Sequence, residues 1–391
     1  MPGVRRLQLP AGVQDLLPAE AAAKRRLEEM LLRLFSSWGY REVVTPTFEF
    51  IEALDVGPAA SSEELLYKFI DREGHILALR PDLTTPIARL TATKLRHSSF
   101  PLRLCYAANV FRYEAPQAGR MREFHQAGVE LIGADGSRAD AEVIALAVEA
   151  LQEAGLVDFR IGIGQVAITK AVLAELELQP EAEMAVKEAL VGKDLVRLTG
   201  LLAQYSVPPA ASRRVEGLFG LHGGEEVLER ATGLLAGTPA ARYLRELEEV
   251  FIALKALGLQ RYLFIDLGIL RAFDYYTGIV FEGYVPGLGF PVCGGGRYDE
   301  LLEQFGFPCP ATGFALGIER LLMARDKAGV AFPPSVPGYL VAGPSPASLL
   351  REARRLRQQG AVVELDAQGW SREEAEKQAR ERGLNLIWVD D

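Results

Sequence analysis

The sequence predicts an α+β protein with an antiparallel sheet flanked by helices, a helical insert and a small C-terminal α/β unit. Short strand-like segments follow one another closely in the first part of the chain, without regular strand–helix alternation. Leu, Ala and Glu then dominate a long stretch with almost no strand pattern. A Pro- and Gly-rich stretch at 333–343 precedes a short alternation of strands and helices. The predicted domains are a core (1–165 and 259–332), a helical insert (166–258) and a C-terminal domain (333–391).

The first helix is predicted between Pro18 and Gly39, because its apolar residues recur at spacings of three and four. The segment 40–50 is strand-like, and Pro46 confines it to a sheet edge or a break. Further core strands are predicted at 75–79, 102–108, 129–132, 159–163, 262–267 and 278–284, with a helix at 139–154. The C-terminal strands are predicted at 339–342, 361–365 and 384–389, and its helices at 347–359 and 371–382.

Composition excludes several classes of protein. The 391 residues are 49% apolar and 24% charged, which is typical of globular proteins rather than disordered or fibrous ones. The net charge of −9 argues against coating nucleic acid through bulk electrostatics. No apolar run reaches the ~18–20 residues that cross a bilayer, and the N-terminus lacks the pattern of a secretion signal, so we expect a cytoplasmic protein. Three widely spaced cysteines predict neither a disulfide framework nor a metal site.

The densest group of charged residues lies between 103 and 130. Between 103 and 122 its cations are Arg103, Arg112, Arg120 and Arg122, and the one acid is Glu114. Arginine suits planar contacts with phosphate or carboxylate, and the turn residues at 116–119 predict a hairpin that could direct several arginines to one ligand. A solvated charged hairpin is the alternative, and charge count alone favours it.

The second arm of this hairpin carries a possible recognition face. Phe124 could supply a flat surface for a nucleobase, or it could be an ordinary core residue. Gln126 and Glu130 lie at even spacing from Phe124, so they share its face of an extended strand, whereas His125 faces the other way.

Four further segments could bind a ligand. Asp82 and Thr84 follow a predicted strand and could hold an ammonium group, although an ordinary turn is the alternative. Tyr275 and Tyr276 would point to opposite faces of a strand, so that only one lines a given pocket. The three glycines before Arg297 permit close approach of either a ligand or a packed strand. Arg320 lies on an apolar helix, where it could reach a phosphate or serve an interface.

In this order, the segments resemble the core of class II histidyl-tRNA synthetases over roughly residues 8–330. FRYEAPQAGRMREFHQAGVE is similar to that family's second signature motif and histidine pocket, RAFDYYTGIVFE and CGGGRYD to its two histidine-specific motifs, and GFALGIER to its third class motif. Pro46 in VVTPTFE matches the proline of the first motif, which builds the family's dimer interface. The resemblance implies a class II synthetase-like antiparallel sheet of six or seven strands in a homodimeric core.

The resemblance also implies roles for individual residues. Arg112 corresponds to the contact with the α-phosphate of ATP, Arg320 to the γ-phosphate and Phe124 to stacking on adenine. Glu114 and Arg120 join this nucleotide-like group. The histidine pocket comprises Asp82, Thr84, Gln126, Glu130, Arg271, Tyr275 and Tyr276. We assign no catalytic residue and no metal ligand.

Several positions depart from the synthetase pattern. Asp82 replaces a glutamate, Ala115 an arginine, and Ala272-Phe273 a Gly-Leu pair. The tail is shorter than an anticodon-binding domain, and its net charge of −1 over 336–391 is a poor footprint for RNA. With LFGLHGGEEVLERA and YYTGIVFEGYVPGLG, these departures resemble a paralogous family, the regulatory subunits of ATP phosphoribosyltransferase.

That resemblance implies a non-catalytic subunit for the first step of histidine biosynthesis. It would form a homodimer, assemble with the short-form catalytic subunit into a hetero-oligomer, and confer inhibition by histidine. No cofactor is expected, residual binding of ATP with magnesium stays open, and neither tRNA nor a membrane is an expected partner. An active histidyl-tRNA synthetase with a reduced C-terminal domain is the alternative, because Arg112, Arg271 and Arg320 are retained. A stand-alone amino-acid or nucleotide sensor is a third possibility.

Overall fold

The computed structural model describes residues 7–56, 64–115, 120–269, 275–332 and 338–390. The chain divides into two compact units, Met1–Val330 and Ala331–Asp391. Within the described ranges, the helices are too short or too polar to span a membrane.

The described strands are β1 (Arg41–Glu42), β2 (Phe48–Phe50), β3 (Lys68–Ile70), β4 (Ile76–Leu79), β5 (Leu102–Phe111), β6 (Glu123–Ile132), β7 (Arg160–Gln165), β8 (His222–Gly223), β9 (Leu263–Asp266), β10 (Ile279–Tyr284), β11 (Cys293–Arg297), β12 (Ala311–Gly317), β13 (Tyr339–Ala342), β14 (Val363–Leu365) and β15 (Asn385–Trp388). The described helices are α1 (Pro18–Ser37), α2 (Ile51–Leu54), α3 (Thr84–Leu90), α4 (Ser137–Glu153), α5 (Val166–Ala174), α6 (Pro180–Val191), α7 (Leu195–Gln204), α8 (Pro209–Phe219), α9 (Glu226–Leu235), α10 (Ala241–Ala256), α11 (Ile318–Lys327), α12 (Pro346–Gln358) and α13 (Arg372–Arg382).

The large sheet of the first unit has the strand order β1-β5-β6-β12-β11-β10-β7-β9-β8. From β5 to β7 every neighbouring pair is antiparallel, whereas β1 pairs with β5 and β9 with β7 in parallel. Helices α1, α4 and α11 pack against the central strands, and α10 and α5 pack near β7 and β10. The predicted antiparallel sheet flanked by helices is therefore confirmed, but the described sheet has nine strands rather than the six or seven that the resemblance implies.

The segment 40–50 does not form one strand. It gives β1, on the edge of the large sheet, and β2, in a separate antiparallel sheet with the order β2-β4-β3. The two short strands are separated by residues that include Pro46, which cannot donate to a ladder.

Two glycine-containing strands, β11 and β12, lie at the centre of the sheet although the sequence patterns did not predict them. Glycine lowers strand propensity, which hides such strands from pattern analysis. Their packing explains the composition: a Cβ atom on Gly295 would lie 2.2 Å from the carbonyl oxygen of Gly313. The glycines before Arg297 thus serve close strand packing, one of the two roles predicted for them.

The C-terminal unit contains a parallel sheet with the strand order β14-β13-β15 and two helices. Ser345 and Ser371 cap helices α12 and α13 by accepting hydrogen bonds from backbone N–H groups. The helix α12 contributes Leu349 and Leu356 to a small core that also holds Val341.

Candidate functional site

The floor of the candidate pocket is formed by two adjacent strands, β6 and β12, which carry several small residues. Strand pairing places Gly313, Ala315 and Gly317 of β12 opposite Glu130, Gly128 and Gln126 of β6. A Cβ atom on Gly313 would lie 2.0 Å from Oε2 of Glu130, and one on Gly128 would lie 2.5 Å from Oη of Tyr106. These positions are therefore glycines because the side chains of Glu130 and Tyr106 occupy the space that a larger residue would need.

Glu130 is the central acidic group of the pocket and is only 1% exposed. Its Oε1 accepts a hydrogen bond of 2.8 Å from Thr84 Oγ1, and its Oε2 accepts one from the hydroxyl of Tyr298. Burial raises the pKa of Glu130 from 4.5 to about 8, although both hydrogen bonds act in the opposite direction. A cationic group beside this carboxyl would favour its ionised form.

Asp82 is a second buried acid in the same pocket. Its Oδ1 accepts a hydrogen bond of 3.0 Å from the backbone N–H of Thr85, at the start of α3. Burial raises the pKa of Asp82, while the Arg112 guanidinium acts against that shift. The charge of Asp82 in turn raises the pKa of Glu130, so the two carboxyls share one electrostatic environment.

Both consecutive tyrosines pack against the same buried cluster. The ring of Tyr275 stacks on Tyr298 with centroids 5.3 Å apart, and it meets Tyr276 edge-on at 4.8 Å. The premise that the two tyrosines lie in a strand and face opposite sides is wrong, because they precede β10 in an irregular segment. Which of them lines a given pocket stays a prediction.

Two buried polar atoms of the pocket make no hydrogen bond within the described part of the chain. They are Oη of Tyr275 and Oε1 of Gln126. Buried polar groups are normally paired, so orphaned atoms in a pocket indicate a place for polar groups of a ligand.

The two predicted phosphate contacts lie beside this floor. Nε of Arg112 donates to the carbonyl of Pro81 at 2.9 Å, and its guanidinium lies 5.4 Å from the ring centre of Phe124. Nη1 of Arg320 donates to the carbonyl of Pro291 at 2.9 Å. A Cβ atom on Gly317 would lie 3.2 Å from Cδ of Arg320, which places Arg320 next to the strand position paired with Gln126.

The other predicted nucleotide-site and histidine-site residues are Glu114, Arg120 and Arg271. Arg120 is exposed, and the carbonyl of Glu114 accepts a hydrogen bond of 3.0 Å from Nε of Arg122. Arg271 and the turn 116–119 lie outside the described residues. Their roles stay predictions.

Arg297 points away from the pocket. Its guanidinium pairs with Asp140 of α4 and with Asp299, each at 3.0 Å, and it is 5% exposed. It therefore joins the sheet to α4.

Sequence reasoning missed Tyr106 and Tyr298. A signal was available for Tyr298, since it lies two residues beyond Gly296, on the face that strand periodicity gives to the pocket.

Comparison with known proteins places this geometry in a class. The family model described as histidyl-tRNA synthetase matches residues 12–321. A histidyl-tRNA synthetase from Nostoc sp. PCC 7120 has the same fold, with a TM-score of 0.81 at 23% identity over 98% of this chain and 92% of that one. The fold and the family match thus define a chain of the histidyl-tRNA synthetase class.

More similar relatives narrow the class. An ATP phosphoribosyltransferase regulatory subunit from Moorella thermoacetica is 62% identical over 98% of both chains. The structure of an ATP phosphoribosyltransferase regulatory subunit/histidyl-tRNA synthetase from Bacillus halodurans superposes with a TM-score of 0.86 at 33% identity, covering 98% of this chain and 99% of that one. This chain belongs to the family of ATP phosphoribosyltransferase regulatory subunits.

Proposed function

We propose that this chain is the non-catalytic regulatory subunit of an ATP phosphoribosyltransferase, which acts in the first step of histidine biosynthesis. It assembles with the short-form catalytic subunit, supports its activity and confers inhibition by histidine, without charging tRNA. Membership of the regulatory-subunit family supports the assignment, and the buried pocket supplies a physical basis for sensing an amino acid.

The observation that carries the histidine-binding proposal is the buried acid Glu130. Among the described residues, its two side-chain hydrogen-bond donors, Thr84 and Tyr298, are uncharged, so a cationic group of a ligand would supply a counter-charge. The orphaned atoms of Tyr275 and Gln126 lie in the same pocket and offer further polar contacts. An α-amino group or an imidazolium of histidine has the charge and the N–H donors that this set requires.

Regulation requires histidine to bind two states of the assembly with different affinity. Because Tyr275 stacks on Tyr298, which donates a hydrogen bond to Glu130, an occupied pocket would hold the segment that carries Tyr275 and Tyr276 in one arrangement. Histidine would then inhibit the catalytic subunit if the active assembly prefers a different arrangement of this segment.

An apolar surface supports a homodimer as the core of the hetero-oligomer. The rings of Phe48 and Phe69 meet edge-on at 5.7 Å on the small sheet, and both residues are at least 40% exposed. Phe50, Ile70 and Ile76 of the same sheet are also exposed. Exposed apolar residues on neighbouring strands indicate a protein interface. A second copy is the proposed occupant, since Pro46 precedes this sheet as in the dimer-building motif of the synthetases.

The test is co-expression with the short-form catalytic subunit. We expect the two chains to co-purify, the complex to exceed the free catalytic subunit in phosphoribosyl transfer, and histidine to inhibit the complex. Activity that does not respond to histidine in an intact complex would contradict the regulatory role.

The alternative function, tRNA charging, is tested with the purified chain alone. Arg112 and Arg320 both lie beside the pocket floor, which is the specific observation in favour of adenylate formation. We expect no histidine-dependent exchange of pyrophosphate into ATP above the level of an Arg112→Gln variant. Robust exchange together with charging of tRNA would instead establish a synthetase.

A further inference from the structure

One wall of the pocket is the irregular segment 275–278, which carries Tyr275 and Tyr276 into β10. The side facing β11 is anchored through Thr277. Its N–H donates to the carbonyl of Arg297 at 2.8 Å, and its Oγ1 accepts a hydrogen bond of 3.0 Å from the N–H of Asp299. The sheet thus anchors the segment at one of its four residues.

The helix α5 anchors the same segment at two other points. Nζ of Lys170 donates to the carbonyl of Tyr276 at 2.8 Å in a partly buried position. At the start of the helix, the N–H of Val166 donates to the carbonyl of Gly278 at 3.0 Å. The helix α5 is the first element of the helical stretch 166–258, so that stretch contacts the pocket wall directly.

We propose that Lys170 is a positioning residue through which the helical stretch 166–258 sets the geometry of the histidine pocket. A carbonyl in an irregular, partly buried segment needs a partner, and an ammonium donor makes a stronger hydrogen bond than a neutral one. The inference rests on the proposed binding of histidine, because it concerns the same pocket.

The path from Lys170 to the acid of the pocket consists of direct contacts. The Tyr276 carbonyl fixes the backbone that also carries Tyr275, whose ring stacks on Tyr298. The hydroxyl of Tyr298 donates to Glu130. A displaced Tyr276 backbone would therefore move the stacking partner of the residue that orients Glu130.

The helical stretch also contacts the end of β7, the strand that pairs with β10. Nε2 of Gln165, at the end of β7, donates to Oε2 of Glu246 on α10 at 3.1 Å. Both the first and the last helix of the stretch are thus joined to the part of the sheet from which the pocket wall begins. A partner that shifts these helices would reach the pocket through Lys170.

The test compares three variants of the full chain. Lys170→Met removes the ammonium and keeps the length of the side chain, and Lys170→Arg restores a cationic donor. Lys187→Met is the matched control, because Lys187 lies on α6 of the same stretch and forms an ion pair with Glu183. Calorimetry with histidine measures affinity, and hydrogen exchange without histidine measures the order of residues 275–284.

We expect Lys170→Met to weaken histidine binding about tenfold, or about 1.4 kcal/mol, and to speed exchange selectively in 275–284. Lys170→Arg should stay within about threefold of the parent, and Lys187→Met should match it. Unchanged affinity and exchange in Lys170→Met, or faster exchange throughout the first unit, would overturn the proposal. Selectively faster exchange in a chain that binds no histidine would uphold the positioning role and refute histidine binding.

Discussion

The raised pKa of Glu130 predicts an unusual dependence of stability on pH. The folded protein keeps the Glu130 proton up to about pH 8, whereas an unfolded carboxyl loses it near pH 4.5. Between these values the folded state binds more protons than the unfolded state, so the free energy of unfolding falls as the pH rises. Below pH 4.5 the contribution of this group no longer changes.

The size of the effect follows from the same two values. A difference of one pKa unit is worth about 1.4 kcal/mol, and linkage gives a loss of about 3 kcal/mol between pH 5 and pH 7.5 from Glu130 alone. Glu130→Gln removes the titration, and its amide can accept a hydrogen bond from one of the two hydroxyls, of Thr84 and Tyr298, and donate one to the other. The variant should therefore lose about 3 kcal/mol less than the parent over this range.

Urea denaturation followed by intrinsic fluorescence at four pH values measures the difference. Glu149→Gln is the matched control, since Glu149 accepts a hydrogen bond of 2.8 Å from Trp38 Nε1 on the helical side of the sheet. The control should keep the pH slope of the parent. Parallel slopes for Glu130→Gln and the parent would refute the argument that Glu130 stays protonated in the folded protein.

Three other substitutions test the remaining features of the site. Tyr298→Phe removes a hydrogen-bond donor to Glu130. The affinity for histidine, measured by calorimetry, should fall about five- to tenfold, and the free energy of unfolding should fall by about 1–2 kcal/mol. An unchanged affinity would show that Tyr298 only fills space. Gly313→Ala should lower the free energy of unfolding in urea by at least about 2 kcal/mol, because its Cβ would lie 2.0 Å from Glu130. Gly233→Ala is the control: this position on α9 has open space, so the free energy of unfolding should rise by up to about 1 kcal/mol. Equal effects of the two substitutions would contradict the packed floor. Asp140→Asn should lower the free energy of unfolding by about 3–5 kcal/mol, because Arg297 loses its buried charged partner. The affinity of the folded fraction for histidine should stay within about twofold of the parent. A large loss of affinity would mean that this ion pair acts on the pocket.

Much of the fold was predictable because it depends on periodic patterns. The spacing of Leu27 and Leu31 on α1 and the strand–helix alternation of the C-terminal unit are local signals, and both elements are present. The strand β12 was not predictable in this way. Its glycines are explained by contacts with residues distant in sequence, such as the approach of Gly313 to Glu130.

The pocket was predictable only in part for the same reason. Alternation along β6 correctly places Gln126 and Glu130 on one face. The opposite facing of Tyr275 and Tyr276 was wrong, because strand periodicity does not apply to the irregular segment before β10. Fold and length alone do not distinguish this chain from a synthetase, since the Nostoc synthetase matches it over 92% of its own length. The sequence prediction of a regulatory subunit therefore depended on small departures such as Asp82.

The bare floor of the pocket has a consequence for how such proteins can change their task. At Gly128 and Gly313, almost any larger residue collides with its neighbours. Substitutions are therefore tolerated at the pocket residues around these two positions rather than at the positions themselves. An engineered variant could exchange other pocket residues, such as Thr84 and Tyr275, to bind a chosen small molecule without changes to the strands beneath. The same architecture therefore offers a starting point for designed metabolite sensors.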